Sequence, residues 1–360
     1  MNFEIKNRKA YKFNIKKSIK VIALIFLLLS LISIISIITV LSLMPSNIVG
    51  ININVVSADS NISKTNNNPS TGSNDTSPIK ILMVGDIVAT PPLDQEIIKE
   101  NKNPLIYVTK EFKKYNLVIG NLESTIDGKS YGAQQIKPYS MSSPYHFIDK
   151  LYESGIGAVS LANNHDKDYG PGGIMNTIYN VNQNGIYTFG AGSDDASAFK
   201  PTIININGTK IGLLGFDSAE YLLNKSSPNI AGTGWFGTNL VKNAIQDARS
   251  NSDIVIVWPH WGVEHTPNPD DFQTQWGKIF IDDGADLVVG GHPHVKQPNI
   301  VYKGKNIFYS IGDFLITGMG FDPNALKGYA LEVSIQDKKI SGYKLREVSL
   351  DDYGKPTITN

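Results

Sequence analysis

The chain has 360 residues, with 33 basic side chains, 33 acidic side chains and no cysteine. That length supplies one large domain or two ordinary ones. Zero net charge argues against a dedicated nucleic-acid binder, and the lack of cysteine excludes disulfide scaffolds, thiolate zinc sites, iron–sulfur clusters and cysteine nucleophiles.

The charge balance hides an asymmetry. Residues 1–20 carry seven basic groups against one acid, Glu4, and form a basic tail. The other 340 residues carry 26 basic and 32 acidic groups. The basic tail directly precedes residues 21–44, which are 24 uncharged residues dominated by Leu, Ile and Val. As a helix they span about 36 Å, enough to cross a bilayer core of about 30 Å. The positive-inside rule puts the N-terminus in the cytoplasm and the rest of the chain outside, in a single-pass topology at the cell membrane. A cleavable signal peptide is the alternative. However, the small residues Val56-Ser57-Ala58 lie a dozen positions beyond an apolar run that is long for such a peptide. Residues 45–77 then read as a disordered spacer. Thirteen of the 19 residues in 59–77 are Ser, Thr or Asn, too little apolar surface to offset the entropy of ordering.

From residue 78 to 350 the pattern is that of an α/β domain, with a short tail over 351–360. Buried strands are expected over 79–84, 117–120, 157–162, 210–216, 254–258, 286–290 and 307–311. Helices are expected over 92–101, 144–154, 170–184, 238–250 and 270–283. Residues 329–349 read as a hairpin around Asp337-Lys338-Lys339. No internal repeat is present, and Gly190-Ala191-Gly192 lacks the spacing of a dinucleotide loop.

The polar residues that could carry chemistry stand where these strands end, the usual ligand edge of an open α/β sheet. In order they are Gly85-Asp86, Asn121-Leu122-Glu123, Asn163-Asn164-His165, His260-Trp261-Gly262 with Glu264 beyond, Gly291-His292-Pro293-His294, and Ser310-Ile311-Gly312-Asp313. Each alone has a plain reading as a cap, a turn or a hydrogen-bonded side chain. Together, four of the six histidines fall at such ends, interleaved with carboxylates and an amide. That donor set suits manganese, zinc or iron, and a shared carboxylate would allow two ions.

The succession Gly-Asp (85–86), Asn-Leu-Glu (121–123), Ala-Asn-Asn-His-Asp-Lys-Asp-Tyr-Gly (162–170), His-Trp-Gly-Val-Glu-His (260–265), Gly-Gly-His-Pro-His-Val (290–295) and Tyr-Ser-Ile-Gly-Asp-Phe (309–314) resembles the CapA-type poly-gamma-glutamate capsule synthesis family. That family is related to calcineurin-like metallophosphoesterases. The resemblance covers residues 79–348. It implies a four-layer α-β-β-α metallophosphoesterase-like sandwich, here behind an N-terminal transmembrane helix. By likeness, Asp86 and His294 hold a first divalent ion and Glu123 bridges. Asn164, His260 and His292 hold a second. His165 acts as general acid or binds an anionic substrate, and Asp168 orients it. Asn163, Glu264 and Asp313 are the expected substrate contacts.

There are departures. Asp86 is followed by Ile87 and Val88 rather than by a histidine two residues on, so the first ion lacks one ligand. Asp313 stands where the family's last motif carries an amide. His265 reads as a surface residue.

Three functions follow. The first is a membrane-anchored component of poly-gamma-glutamate synthesis or export, working on the anionic polymer beside other capsule membrane proteins. The second is an exported metal-dependent phosphoesterase. The third is a polymer-binding scaffold without catalysis.

Overall fold

The computed structural model describes residues 77–359. The expected basic tail, membrane segment and nearly all of the spacer lie outside the described residues. Among the described residues, no helix is long and apolar enough to cross a membrane.

The strands in chain order are β1 (Ile79–Ile87), β2 (Leu117–Leu122), β3 (Ala158–Ser160), β4 (Tyr187–Phe189), β5 (Thr202–Ile206), β6 (Thr209–Asp217) and β7 (Ile254–His260). They continue with β8 (Leu287–Val289), β9 (Asn299–Tyr302), β10 (Lys305–Phe308), β11 (Asp313–Leu315), β12 (Lys327–Gln336), β13 (Lys339–Leu350) and β14 (Pro356–Thr359). The longer helices are α1 (Leu93–Glu100), α2 (Ile106–Phe112), α3 (His146–Ser154), α4 (Gly170–Gln183), α5 (Thr238–Asn251) and α6 (Asp271–Asp283).

Two mixed sheets result. One has eight strands in the order β14-β13-β12-β1-β2-β3-β4, with β11 pairing to the end of β1. The other has six, in the order β9-β10-β8-β7-β6-β5. In the first sheet β1 to β4 run parallel and the β12–β14 side is antiparallel; in the second the centre is parallel and both edges are antiparallel.

Strand parity then builds the layers. On β1, Ile79, Ile81 and Met83 pack with Ile211, Leu213, Ile254 and Ile256 of the other sheet. The alternate residues Leu82 and Val84 pack outward against Phe112, Phe147, Ile148 and Leu151. On the second sheet, Leu214, Phe216, Val255 and Val257 pack outward against Val241, Ile245 and Phe280. Successive side chains of a strand point to opposite faces, so strands apolar at every position must be covered on both sides. The order of layers is helices, sheet, sheet, helices.

The helices follow local rules. α5 buries Val241, Ala244, Ile245 and Ala248, one stripe of its circumference. α6 starts from a reciprocal capping box between Asp270 and Gln273. α3 stops at Gly155, which takes the left-handed conformation that glycine tolerates. The hairpin of β12 and β13 turns through Asp337 and Lys338, both with positive φ, as a two-residue turn requires.

The expected tail includes a strand. β14 pairs antiparallel with β13 from Glu347 to Leu350 and extends the sheet.

β1 and the approach to β11 run unusually close. A Cβ on Gly85 would lie 1.7 Å from the carbonyl oxygen of Gly312. Gly85→Ala should therefore cost about 2 kcal/mol or more, because backbone cannot move aside as a side chain can. Gly342→Ala, with nothing within 4 Å of the new Cβ, is the control. Thermal melts of the two variants should differ by several degrees, with Gly85→Ala the lower; equal midpoints would contradict the close packing.

Candidate metal centre

Register brings the strand-end residues into two facing rows. In the first sheet, Asp86 pairs with Asp313 on one side and Asn121 on the other. In the second, His260 pairs with Asp217 and bridges to Gly291. The rows meet at Asn121, whose amide donates to Asp86 Oδ1 at 2.8 Å and lies 3.4 Å from His260 Nδ1.

Around this contact the expected ligands converge. His260 Nε2 lies 2.8 Å from Asn164 Oδ1 and 3.3 Å from Glu123 Oε1. The rings of His260 and His292 are 4.8 Å apart between centroids. His294 Nδ1 lies 2.8 Å from Asp313 Oδ1 and 3.8 Å from Asp86 Oδ2. Three groups each bring donor atoms within 4.8 Å of one another: Asp86, Glu123 and His260; Glu123, His292 and His294; and Asp86, His294 and Asp313.

The loop carrying His292 and His294 is held in an uncommon shape. Both residues have positive φ, at 92° and 57°, a region that non-glycine residues seldom occupy. Backbone bonds fix it: Trp261 N donates to Gly291 O, His265 N to Pro293 O, and His292 N to Asp86 Oδ2. A Cβ on Gly291 would come within 2.8 Å of Asp86 Oδ1, so a larger residue there would press on that carboxylate.

Burial and neighbouring charge pull these groups in opposing directions. Burial, reinforced by the Glu123 carboxylate, raises Asp86 to about 6. Burial raises Asp313 to about 7 despite the His294 imidazole beside it. Burial also pushes Glu123 up, but the nearby imidazoles, His260 foremost, outweigh it and hold the carboxyl below its usual range. Burial, joined by the charges of His260 and His294, lowers His292 well below its ordinary value.

Both Glu123 oxygens, His292 Nδ1 and Asp313 Oδ2 are buried with no hydrogen-bond partner. A buried carboxylate without donors is expensive, and a neutral imidazole with a free nitrogen is a ready ligand. This donor set fits a divalent cation.

His165 adjoins the cluster closely enough for its charge to act on Glu123 and His292. Its Nδ1 lies 2.8 Å from Asp168 Oδ2. Asp168 in turn accepts from Met141 N at 2.6 Å and pairs with Lys137 Nζ at 2.8 Å.

Lys137 had no signal in the sequence, because it sits in a polar loop without a motif. Its side chain is only 3% exposed, and its ammonium also reaches Asn164 O and Glu220, each at 2.6 Å. Asn224 also lies outside any motif, at the end of a short helix, and donates to Asn164 O at 3.0 Å. Asn121 did have a signal, as the first residue of the Asn-Leu-Glu motif.

The three expected substrate contacts have different surroundings. Asn163 is fully buried; its amide donates to Asn121 Oδ1 and Leu122 O and its oxygen accepts from His165 N. Those bonds shape the loop that carries His165. Glu264 is exposed beyond β7 and belongs to none of the three donor groups. Asp313 lies among the candidate ligands.

The profile described as "Bacterial capsule synthesis protein PGA_cap" matches residues 80–317. The chain belongs to this family. The PGA biosynthesis protein CapA of Bacillus subtilis (strain 168) is 30% identical over 237 residues, covering 64% of this chain and 62% of that protein. The capsule biosynthesis protein CapA of Bacillus anthracis is 30% identical over 246 residues, covering 66% of this chain and 59% of that protein. The match thus spans about three fifths of each relative's length. Among solved structures, a hypothetical protein from Thermus thermophilus matches 78% of this chain and 99% of its own at 13% identity and a TM-score of 0.46. A 5'-nucleotidase precursor from the same organism matches 75% of this chain and 54% of its own at 12% identity and a TM-score of 0.45. At those scores the likenesses carry no argument about this family member's chemistry.

His292→Ala removes an unpartnered donor at the centre of the cluster. Manganese or zinc at about 100 times its Kd should raise the stability of the parent by about 2.7 kcal/mol. The variant should lose most of that rise in thermal midpoint. An unchanged metal-dependent shift would remove His292 from the ligand set.

Proposed function

We propose that this PGA_cap member is a membrane-anchored protein that acts outside the cell in poly-gamma-glutamate capsule synthesis or export. In this reading it performs metal-assisted hydrolysis on an anionic substrate. The observation that carries the proposal is the set of buried donor atoms without hydrogen bonds, on Glu123 and His292, beside Asn164 and His260. The roles of the two CapA relatives, as their names give them, point to the capsule polymer.

One or two ions of manganese, zinc or iron fit the donors. Glu123 would be shared, with Asn164, His260 and His292 on one side and Asp86 and His294 on the other. A divalent ion bound there supplies Lewis acidity to a substrate oxygen and lowers the pKa of water.

The chain's own residues do the rest. Asn121 holds Asp86 and stands against His260, so the two sides keep a fixed separation. The Asp168 carboxylate, pinned by Met141 N and Lys137, keeps the proton of His165 on Nδ1 when the ring is neutral. A second proton taken up at Nε2 is then available for a leaving oxygen or nitrogen. Lys137 ties that acid to the ligand loop through Asn164 O, so acid and ligand are positioned by one ammonium.

The partners this implies are the membrane, other membrane proteins of capsule synthesis and export, and the anionic polymer or a phosphoester. The apolar run 21–44 behind a basic tail supports anchoring with the domain outside.

His165→Ala should keep the metal content and thermal midpoint of the parent yet lower turnover on the order of 10²–10⁴-fold, the usual worth of a placed proton donor. Aryl phosphate esters and gamma-glutamyl amides, with added manganese, are the substrates to screen. If His165→Ala empties the site as fully as His292→Ala, His165 is a ligand and the division of roles fails. If neither variant changes turnover or polymer output, the scaffold reading replaces this one.

The topology is tested separately. Protease added to intact, wall-stripped cells should remove the domain. Survival there, with digestion only after lysis, would place the domain inside.

A further inference from the structure

We propose that Asp313 is itself a ligand of the first ion, which makes that side of the centre rich in carboxylate oxygen and chemically unlike the other. The inference rests on the metal-centre reading above and goes beyond it by completing the thinner half.

β1 supplies a single donor. After Asp86 its register shifts, and Ile87, Val88 and Ala89 all run into the core. No second ligand can come from that strand. The neighbouring parallel strand supplies one instead. Asp313 is the register partner of Asp86, so both carboxylates leave the sheet side by side. Asp313 is fully buried. Its Oδ1 lies 2.8 Å from His294 Nδ1, and the same nitrogen lies 3.8 Å from Asp86 Oδ2. Its second oxygen, Oδ2, is buried without a partner. Donor atoms of Asp86, His294 and Asp313 all fall within 4.8 Å of one another, as do those of Glu123, His292 and His294.

A purely orienting carboxylate would need only the oxygen that faces His294. The burial of an idle second oxygen beside another carboxylate is costly unless a cation joins them. With Glu123 shared, the first ion would have three carboxylates and one imidazole. The second would have two imidazoles, an amide oxygen and the shared carboxylate. Harder, oxygen-preferring ions such as manganese favour the first set, and zinc favours the second.

Asp313→Asn separates ligation from orientation. The amide oxygen still accepts a hydrogen bond from His294 Nδ1–H, but the charge that binds a cation is gone. The measurement is stoichiometry and affinity for Mn²⁺ and for Zn²⁺ on the full-length protein in detergent, for the parent, Asp313→Asn and His292→Ala. The parent should hold two ions. Asp313→Asn should lose the more manganese-selective one, weakening it by more than the roughly 10–100-fold that an orienting partner is worth. His292→Ala should lose the other. If Asp313→Asn keeps both ions within a few-fold of the parent while His292→Ala loses one, Asp313 only orients His294, and the metal centre stands without it. A parent that binds one ion, released by His292→Ala and kept by Asp313→Asn, overturns the inference in the same way. A parent that binds no ion overturns both readings. Circular dichroism of Asp313→Asn matching the parent shows that any loss is not unfolding.

Discussion

A buried carboxylate whose oxygens make no hydrogen bond is among the more expensive features a fold can carry, and Glu123, with the His260 imidazole 3.3 Å away, is one. Everything at the rim answers to it. Imidazoles surround it, and their charge keeps it ionised against the pull of burial. Asn121 fixes Asp86 beside it, and the strained loop at His292 and His294 is tied down by Trp261, His265 and Asp86 rather than relaxed. Such strain persists only where the surroundings over-determine it. The two sheets have to meet with their parallel strand ends in one plane for these groups to face each other, and the shared inter-sheet core sets that meeting.

Much of this was legible in the sequence. Central strands apolar at every position announce burial on both faces, and polar residues that break each run mark the rim. That is why Asp86, Glu123, Asn164, His260, His292 and His294 could be named before their distances were known. The longer helices were legible for a related reason: a stripe such as Val241, Ala244, Ile245 and Ala248 repeats at helical spacing.

The rest was hidden where local pattern and tertiary demand diverge. α2 is rich in β-branched and aromatic residues, yet it is helical because Val108 and Phe112 fill the outer face of the first sheet. β11 is three residues long and follows Gly312 at positive φ, too short for periodicity to register. Lys137 is a lysine in a polar loop, which a sequence reading assigns to solvent. Only its three oxygen partners, from separate parts of the chain, reveal that it is buried. Asn163 differs from its neighbour Asn164 in a way the sequence does not show. Adjacent amides look alike in sequence, and only the loop geometry sends one inward and the other toward His260.

The strand over 356–359 carries a further consequence. β13 is the longest strand of the larger sheet, and an uncovered strand of that length invites pairing with another copy. β14 occupies its final residues, and opens with Pro356, which cannot donate to a further ladder. Along the remaining edge stand the exposed Lys339 and Lys344, charges that oppose strand-to-strand stacking. The opening proline and the two exposed lysines make this border a poor template for a further strand.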